Sequence, residues 1–229
     1  MFGHHFKIKE ILEKRNQNLS QFWFENHENR QYNYPLFAGK EVLIVDAEDT
    51  FTKMLAQQLT AMGFIVSVCK FNEPDLLEYD WGLIVMGPGP GDPNNKNDIR
   101  IATMHDMIAR LFLEKRRFLA VCLSHQILCS YLGLKVICRD TPNQGVQREI
   151  QLFDRKERVG FYNTFVAKCN EVGVNNLRKQ CIEISMDQQL QEIHALRGET
   201  FTSLQFHPES LLTSNSVGIL ASSIKDIII

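Results

Sequence analysis

From Lys40 onward the apolar positions of the chain follow two alternating rhythms. Short unbroken runs (Val42 to Val45, Leu83 to Met86, Phe118 to Val121) leave no polar residue on either side of an extended backbone. Such runs predict strands buried on both faces, as in a parallel sheet covered by helices. Between them apolar residues recur every three or four positions: Phe51, Met54, Leu55, Leu59 and Met62, then Ile101, Met104, Ile108, Leu111 and Phe112. That spacing lines one face of a helix. Thr50 stands where it can cap the first helix, and Gly63 where it can end it. Phe64 to Phe71 reads as the next strand. Phe118 to Val121 runs into a further helix at Cys122, which Gly133 closes. The second half predicts shorter strands near 146–153, 159–167, 181–186, 192–197 and 201–206, and a last helix from about 215. Alternation of strands with helices predicts an α/β fold with a doubly wound, mostly parallel sheet flanked by helices, and the shorter strands an added mixed β segment. Ligands on such sheets bind at the carboxyl ends of the strands.

Residues 1–38 have a different character. They are polar with scattered aromatics and end at Tyr34-Pro35; Ile8, Ile11, Leu12, Leu19, Phe22 and Trp23 fit a helical stripe imperfectly. This segment reads as a linker or arm, docked on its own domain or on a partner, with the domain proper at 39–229. Composition adds exclusions. With 44% hydrophobic and 23% charged residues the chain is ordinary for a globular protein, and its net charge of −2 offers no basic field for nucleic acid or an anionic membrane. The run Lys115-Arg116-Arg117 is too short to change this and suits a helix C-terminus. No apolar run approaches membrane-spanning length, and the first ten residues lack the apolar core of a signal peptide. A cytoplasmic, reducing location is therefore expected, with Asn18-Leu19-Ser20 a chance sequon. None of the six cysteines forms a C-x-x-C pair, so no metal site is expected. Cys69, Cys129, Cys138, Cys169 and Cys181 read as buried, reduced, hydrophobe-like thiols.

Cys122 stands apart because of its neighbours. In Phe118-Leu119-Ala120-Val121-Cys122-Leu123-Ser124-His125-Gln126 a buried strand stops and a helix starts. A strand-to-helix elbow pushes its central side chain out above the sheet. A cysteine at a helix N-terminus meets free N–H groups and a dipole that favour the thiolate, and the N–H of Leu123 points toward an oxyanion forming on an attacked carbonyl. Gln126 lies one turn on, on the same face. Alone, this pattern fits a structural core thiol better than a nucleophile. A second segment, Phe206-His207-Pro208-Glu209, follows the strand that starts at Phe201. His207 and Glu209 project to one side of an extended chain, and a carboxylate beside an imidazole fixes its tautomer and favours its protonated form. Alone, this reads as a surface pair. A third segment, Met86-Gly87-Pro88-Gly89-Pro90-Gly91-Asp92-Pro93, allows close backbone approach to a ligand and supplies N–H donors, or is a plain turn. It lacks the Gly-Lys-Ser/Thr of a phosphate-binding loop.

Taken together, the three segments supply nucleophile, base, orienter and oxyanion donors at predicted strand ends, and over about residues 40 to 225 the sequence resembles the class I (triad) glutamine amidotransferases. The resemblance implies a flavodoxin-like sheet in which Cys122 forms a glutamyl thioester, His207 moves the protons and Glu209 holds His207. It further implies an oxyanion hole from the N–H groups of Gly89 and Leu123, and a glutamine site helped by Gly91, Gln126, Thr164 and Phe165. Two positions depart from the family pattern: Ala120 and Ser124 stand where glycines usually flank the cysteine two residues away on either side. That leaves every reacting group in place but implies a tighter, less active or more strictly gated elbow.

Glutaminases of this class feed a synthase. Val45-Asp46-Ala47-Glu48-Asp49-Thr50-Phe51, Cys122-Leu123-Ser124-His125-Gln126 and Asn143-Gln144-Gly145-Val146-Gln147 are similar to the glutaminase part of the 2-amino-2-deoxyisochorismate synthases of phenazine biosynthesis, and residues 11–24 to the linker before it. Anthranilate synthase glutaminases usually carry His-Gly at Gln144-Gly145 and His-Ser near Asn163-Thr164. The resemblance therefore implies a chorismate-converting synthase, on a separate chain or as a further domain, as partner, with Mg²⁺ in that partner and no cofactor in this domain. A glutaminase for anthranilate or aminodeoxychorismate synthase is the rival within enzymes. An inactive glutamine-sensing or scaffolding protein is the rival of another class, supported only by the elbow substitutions.

Overall fold

The computed structural model describes residues 34–228. The stripe expected over Ile8 to Trp23, and all of the arm before residue 34, lie outside them. Eleven strands and five helices follow in order: β1 (Glu41–Asp46), α1 (Thr52–Ala61), β2 (Ile65–Lys70), β3 (Leu83–Met86), α2 (Ile99–Leu113), β4 (Phe118–Val121), α3 (Leu123–Tyr131), β5 (Lys135–Cys138), β6 (Val146–Leu152), β7 (Arg155–Phe161), β8 (Phe165–Lys168), α4 (Glu171–Lys179), β9 (Glu183–Asp187), β10 (Glu192–Arg197), β11 (Phe201–Leu204) and α5 (Ser216–Ile228). The main sheet runs β2-β1-β3-β4-β11-β10-β8-β5, with β9 on the other flank of β10. Pairings from β2 through β11 are parallel, and those beyond β11 antiparallel. β6 and β7 form a separate antiparallel hairpin.

The unbroken apolar runs explain the layering. Along β1, Leu43 and Val45 face one side while Val42 and Ile44 face the other, as the two-residue period of a strand requires. Leu43, Ile84, Met86 and Phe118 pack with Ile101, Met104, Ile108 and Leu111 of α2 and Ile127 and Leu128 of α3. On the opposite face Val42, Ile44, Leu83, Val85 and Leu119 pack with Leu55 and Leu59 of α1 and Ile219, Leu220 and Ile224 of α5. The sheet is thus doubly wound, as expected, and each such buried side chain contributes about 1.5–3 kcal/mol. Because α1 and α2 lie on opposite faces, the chain reverses its winding between β1 and β3, where their loops diverge to leave a crevice. Ahead of β1, Phe37 is 1% exposed and stacks on Phe64 with centroids 4.9 Å apart.

Several expectations need correction. Thr50 is not the cap of α1. Phe51 occupies that position without a side-chain cap, and Asp49 Oδ1 accepts its N–H at 2.8 Å. The strand expected over 159–167 is two strands, β7 and β8, in different sheets. The alternation of Val159, Phe161, Asn163, Phe165 and Ala167 continues through the break and conceals it. β5 and α4 were not foreseen: β5 has four residues, and α4 buries only Leu177 and contains Gly173 and two asparagines. Of the five cysteines expected in the core, Cys129 and Cys169 are buried, Cys69 is half-buried, and Cys138 and Cys181 are exposed. Cys69 and Cys138 lie on strands at the two ends of the main sheet, and Cys181 lies in the turn after α4.

Candidate active site

The three chemical segments follow the carboxyl ends of neighbouring parallel strands, the glycine loop after β3, Cys122 after β4 and the His207 segment after β11. Cys122 joins β4 to α3 with φ 53° and ψ −101°, a conformation that L residues rarely adopt. The elbow is pinned on both sides. Cys122 N–H donates to Leu204 O at 2.8 Å, and Gln126 N–H donates to Cys122 O at 3.1 Å. Such strain costs about 1–3 kcal/mol and persists only where the surroundings impose it.

His207 follows β11 and is clamped by the hairpin. Its N–H donates to Gly160 O at 3.0 Å. Thr213 Oγ1 donates to His207 O at 2.6 Å and accepts from Gly160 N–H at 3.1 Å. A Cβ on Gly160 would lie 2.7 Å from Leu212 Cβ, so only glycine permits this approach. His207 Nδ1 donates to Glu209 Oε1 at 2.8 Å, and the two side chains are 2% and 0% exposed. The other ring nitrogen is thereby left for Cys122. Burial opposes protonation of His207, but the Cys122 sulfur and the Glu209 carboxylate outweigh it, so its pKa is raised well above the ordinary value. Glu209 Oε2 has no hydrogen-bond partner, so the protonated imidazole is the principal compensation for this buried carboxylate. Phe51 lies against the imidazole at 4.5 Å between centroids, and Tyr162 meets it edge-on at 5.2 Å. Tyr162 Oη is 2.9 Å from Ser210 Oγ.

Two further histidines contrast with it. Burial, reinforced by the charge of His194, pushes His125 down to about 3. Burial likewise holds His194 at about 4, against the raising influence of Asp187 and Glu192. Both are neutral near pH 7, whereas His207 sits where a base is needed.

The glycine loop lies directly over the elbow. A Cβ on Gly87 would come within 2.6 Å of Val45 O, and one on Gly89 within 2.8 Å of both Ala47 and Leu123 Cδ2. Gly91, with φ +123°, lies in the exposed continuation of the loop beside Ile101 and Asp98. From α3, Gln126 Nε2 donates to Phe165 O at 2.8 Å and to Gln205 Oε1 at 3.2 Å, so the Thr164-Phe165 segment does meet the elbow helix. Asn163 Nδ2 also donates to Phe165 O, at 2.7 Å. Ala120 sits in the core with no exposure, and Ser124 Oγ donates to Gly87 O at 2.6 Å.

Sequence reasoning missed Phe51, Tyr162, Gly160, Thr213 and Gln205 as parts of this site. Gln205 is fully buried, with Nε2 4.0 Å from Cys122 Sγ. It stands two residues before His207, so the two-residue period that linked His207 to Glu209 also pointed to it. For the clamp through Gly160 and Thr213 no local signal existed. Among the described residues, no group of three or more His, Cys, Asp or Glu side chains is arranged to hold a metal ion. Nor, among them, is any helix long and apolar enough to cross a membrane.

Comparison with known proteins bears on this geometry. The class-I glutamine amidotransferase family model matches residues 43–227. Over all 229 residues the chain is 45% identical to a phenazine-specific anthranilate synthase of Pseudomonas chlororaphis, of which the match covers 36%. It thus spans little more than a third of the length of that relative. It is also 25% identical over 188 residues to aminodeoxychorismate synthase component 2 of Klebsiella aerogenes, covering 79% of this chain and 97% of that one. Among solved structures, a glutamine amidotransferase of Thermotoga maritima superposes with a TM-score of 0.51 at 17% identity, covering 74% of this chain and 76% of the other. A GMP synthase protein of Thermoplasma acidophilum superposes with a TM-score of 0.66 at 14% identity, covering 82% of this chain and 94% of the other. These two likenesses show the fold alone. With a family match that runs from β1 into α5 and encloses the elbow, the glycine loop and the His207 segment, this chain belongs to the class I glutamine amidotransferases.

Proposed function

We propose that this chain hydrolyses glutamine through a thioester on Cys122 and delivers the ammonia to a chorismate-converting synthase, forming 2-amino-2-deoxyisochorismate. The observation that carries the chemistry is the buried His207–Glu209 pair set beside the strained Cys122 elbow. His207 accepts the thiol proton, and Cys122 Sγ attacks the side-chain amide carbon of glutamine. The carbonyl oxygen becomes an oxyanion facing the N–H groups of Leu123 and Gly89. Collapse of this intermediate breaks the C–N bond, with the His207 proton leaving on ammonia. A water, deprotonated by His207, then attacks the thioester; glutamate departs and the proton returns to sulfur. Glu209 keeps the imidazole oriented and offsets its charge. Phe51 and Tyr162 shield the ring from water. Gln126, Gly91 and the Thr164-Phe165 segment bind the glutamine.

The choice of acceptor rests on likeness along the whole chain. The phenazine-specific relative matches all 229 residues, including the arm, at 45% identity, whereas the aminodeoxychorismate synthase component matches 188 residues at 25%. A glutaminase of anthranilate or aminodeoxychorismate synthase is the second reading, supported by the lengthwise matches to such components. The test combines the full chain with glutamine, chorismate, Mg²⁺ and its candidate synthase, and identifies the aminated product. Cys122→Ala should abolish glutamate release while leaving amination by free ammonia intact. An aminated product other than 2-amino-2-deoxyisochorismate would overturn the choice of acceptor. Wild-type chain that releases no glutamate beside its synthase would support a scaffolding role instead.

A further inference from the structure

The elbow residue Ser124 departs from the glycine that its family resemblance implies, and the structure gives its hydroxyl a definite task. Ser124 is fully buried, and its Oγ donates to Gly87 O at 2.6 Å. Gly87 stands where the β3 ladder ends. β3 and β4 pair in register only as far as Met86 and Ala120, while β4 stays paired with β11 through Val121. Cys122 N–H, like Phe118 N–H four residues before it, faces β11, where it donates to Leu204 O and cannot serve Gly87. The Gly87 carbonyl is thus a buried acceptor beyond the end of its ladder, and a buried acceptor without a donor is costly. Ser124 supplies that donor.

The geometry around this bond bears on the oxyanion hole. Gly87 N–H donates to Val45 O at 3.0 Å, so the residue is held through both its N–H and its carbonyl. Pro88 has no N–H and a restricted φ. Gly89 N–H is therefore the first free donor of the loop. Gly89 itself is wedged between Ala47 and Leu123, with room for no Cβ. On the helix side, Ser124 immediately follows Leu123, whose N–H is the other donor. One hydrogen bond thus joins the two halves of the hole.

We infer that Ser124 is a positioning residue that fixes the separation of the Gly89 and Leu123 N–H groups, so that the hole is formed before glutamine arrives. The inference rests on the glutaminase reading above. It replaces the expectation of a merely tightened elbow with a specific tether. Preorganised donors contribute strongly to acyl transfer, and a misplacement of about 1 Å costs on the order of 100-fold in rate.

The test uses the full chain carrying Ser124→Ala and, as a second variant, Ser124→Gly, the residue usual in the family. Three rates are compared: glutamine hydrolysis beside the candidate synthase, alkylation of Cys122 by iodoacetamide, and amide hydrogen exchange over residues 87–91. Alkylation displaces iodide directly and forms no oxyanion, so it reports the thiol without the hole. Both variants should lose roughly 10- to 100-fold in kcat with KM within about two-fold. Alkylation should be unchanged and exchange over residues 87–91 faster. Unchanged exchange in both variants would overturn the tether, whether or not the chain hydrolyses glutamine. A parallel fall in alkylation and hydrolysis would overturn it too, because the hydroxyl would then serve the thiol rather than the hole. Absence of wild-type hydrolysis with faster exchange in the variants would leave the tether standing and sink the glutaminase reading instead.

Discussion

At the scale of single residues, the site concentrates cost in one place. Cys122 combines a positive φ with a position pinned from β11 and from its own helix. Replacing it with alanine removes the thiol and keeps the strain; replacing it with glycine removes both. Relief of about 1–3 kcal/mol of strain exceeds the roughly 0.5–1 kcal/mol of extra chain entropy that glycine carries. Cys122→Gly should therefore have an unfolding free energy roughly 1 kcal/mol above that of Cys122→Ala, read as a higher urea midpoint, although neither hydrolyses glutamine. Equal midpoints would show that the elbow is not strained. The same residue sets the charge of its base. Because Cys122 is among the groups that raise the His207 pKa against the effect of burial, Cys122→Ala should lower it. An NMR titration of the His207 ring should show a wild-type imidazolium persisting above pH 6.5 and an earlier loss of the proton in the variant. Glu209→Gln preserves the shape but replaces the carboxylate that accepts from Nδ1. The expected fall in kcat is at least about 100-fold, measured as glutamate release.

Among the elements, the β6–β7 hairpin is the part whose importance a parallel-sheet picture does not suggest. It lies outside the main sheet, yet Gly160 carries the backbone contact that holds His207. Gly160→Ala forces a Cβ to within 2.7 Å of Leu212 Cβ. It should destabilise the chain by about 1–3 kcal/mol and displace the His207 loop, lowering kcat more than it raises KM. Urea unfolding and steady-state glutamine hydrolysis together check this. The hairpin also shows why part of the site was legible in the sequence and part was not. Strands buried on both faces announce themselves by composition, so β1, β3 and β4 and the chemistry at their ends could be read directly. Cys122 sits on such an end, whereas His207 and Glu209 follow β11, whose buried Thr202 and Ser203 mark it less plainly. The clamp formed by Gly160 and Thr213 joins segments about fifty residues apart through backbone groups, which leave no mark in residue type. Phe51 fits the apolar stripe of α1 equally well by its spacing, which hides its other role. Its place at the cap of the helix turns it toward His207 instead. Ser124 was visible as a departure, but its partner is a carbonyl, which no pattern of side chains reveals.

Across the whole molecule, the buried neutral histidines couple folding to pH. His125 and His194 have folded pKa values of about 3 and about 4, below the unfolded value of 6.5. The unfolded chain therefore binds more protons between these limits, and stability is complete above pH 6.5 and lost as the pH falls toward 4. His207 has the opposite sign. Its contribution is complete below 6.5 and is lost as the pH rises through its raised value, so it does not mask the acid loss. The unfolding free energy from urea titrations should fall between about pH 6.5 and 4.5 by a slope on the order of 1–3 kcal/mol per unit, and His194→Gln should flatten it. An unchanged slope in that variant would remove His194 from the account. On the same scale, the proposal is that the ammonia made at this site is used by a synthase. Everything in that proposal depends on Cys122 carrying the acyl group. The most direct measurement is mass spectrometry of the full chain, mixed with glutamine and its synthase and quenched in acid during turnover. A glutamyl adduct should appear on the peptide that contains Cys122 and be absent from Cys122→Ala. Glutamate formation with no adduct, or with the adduct on another residue, would contradict the account.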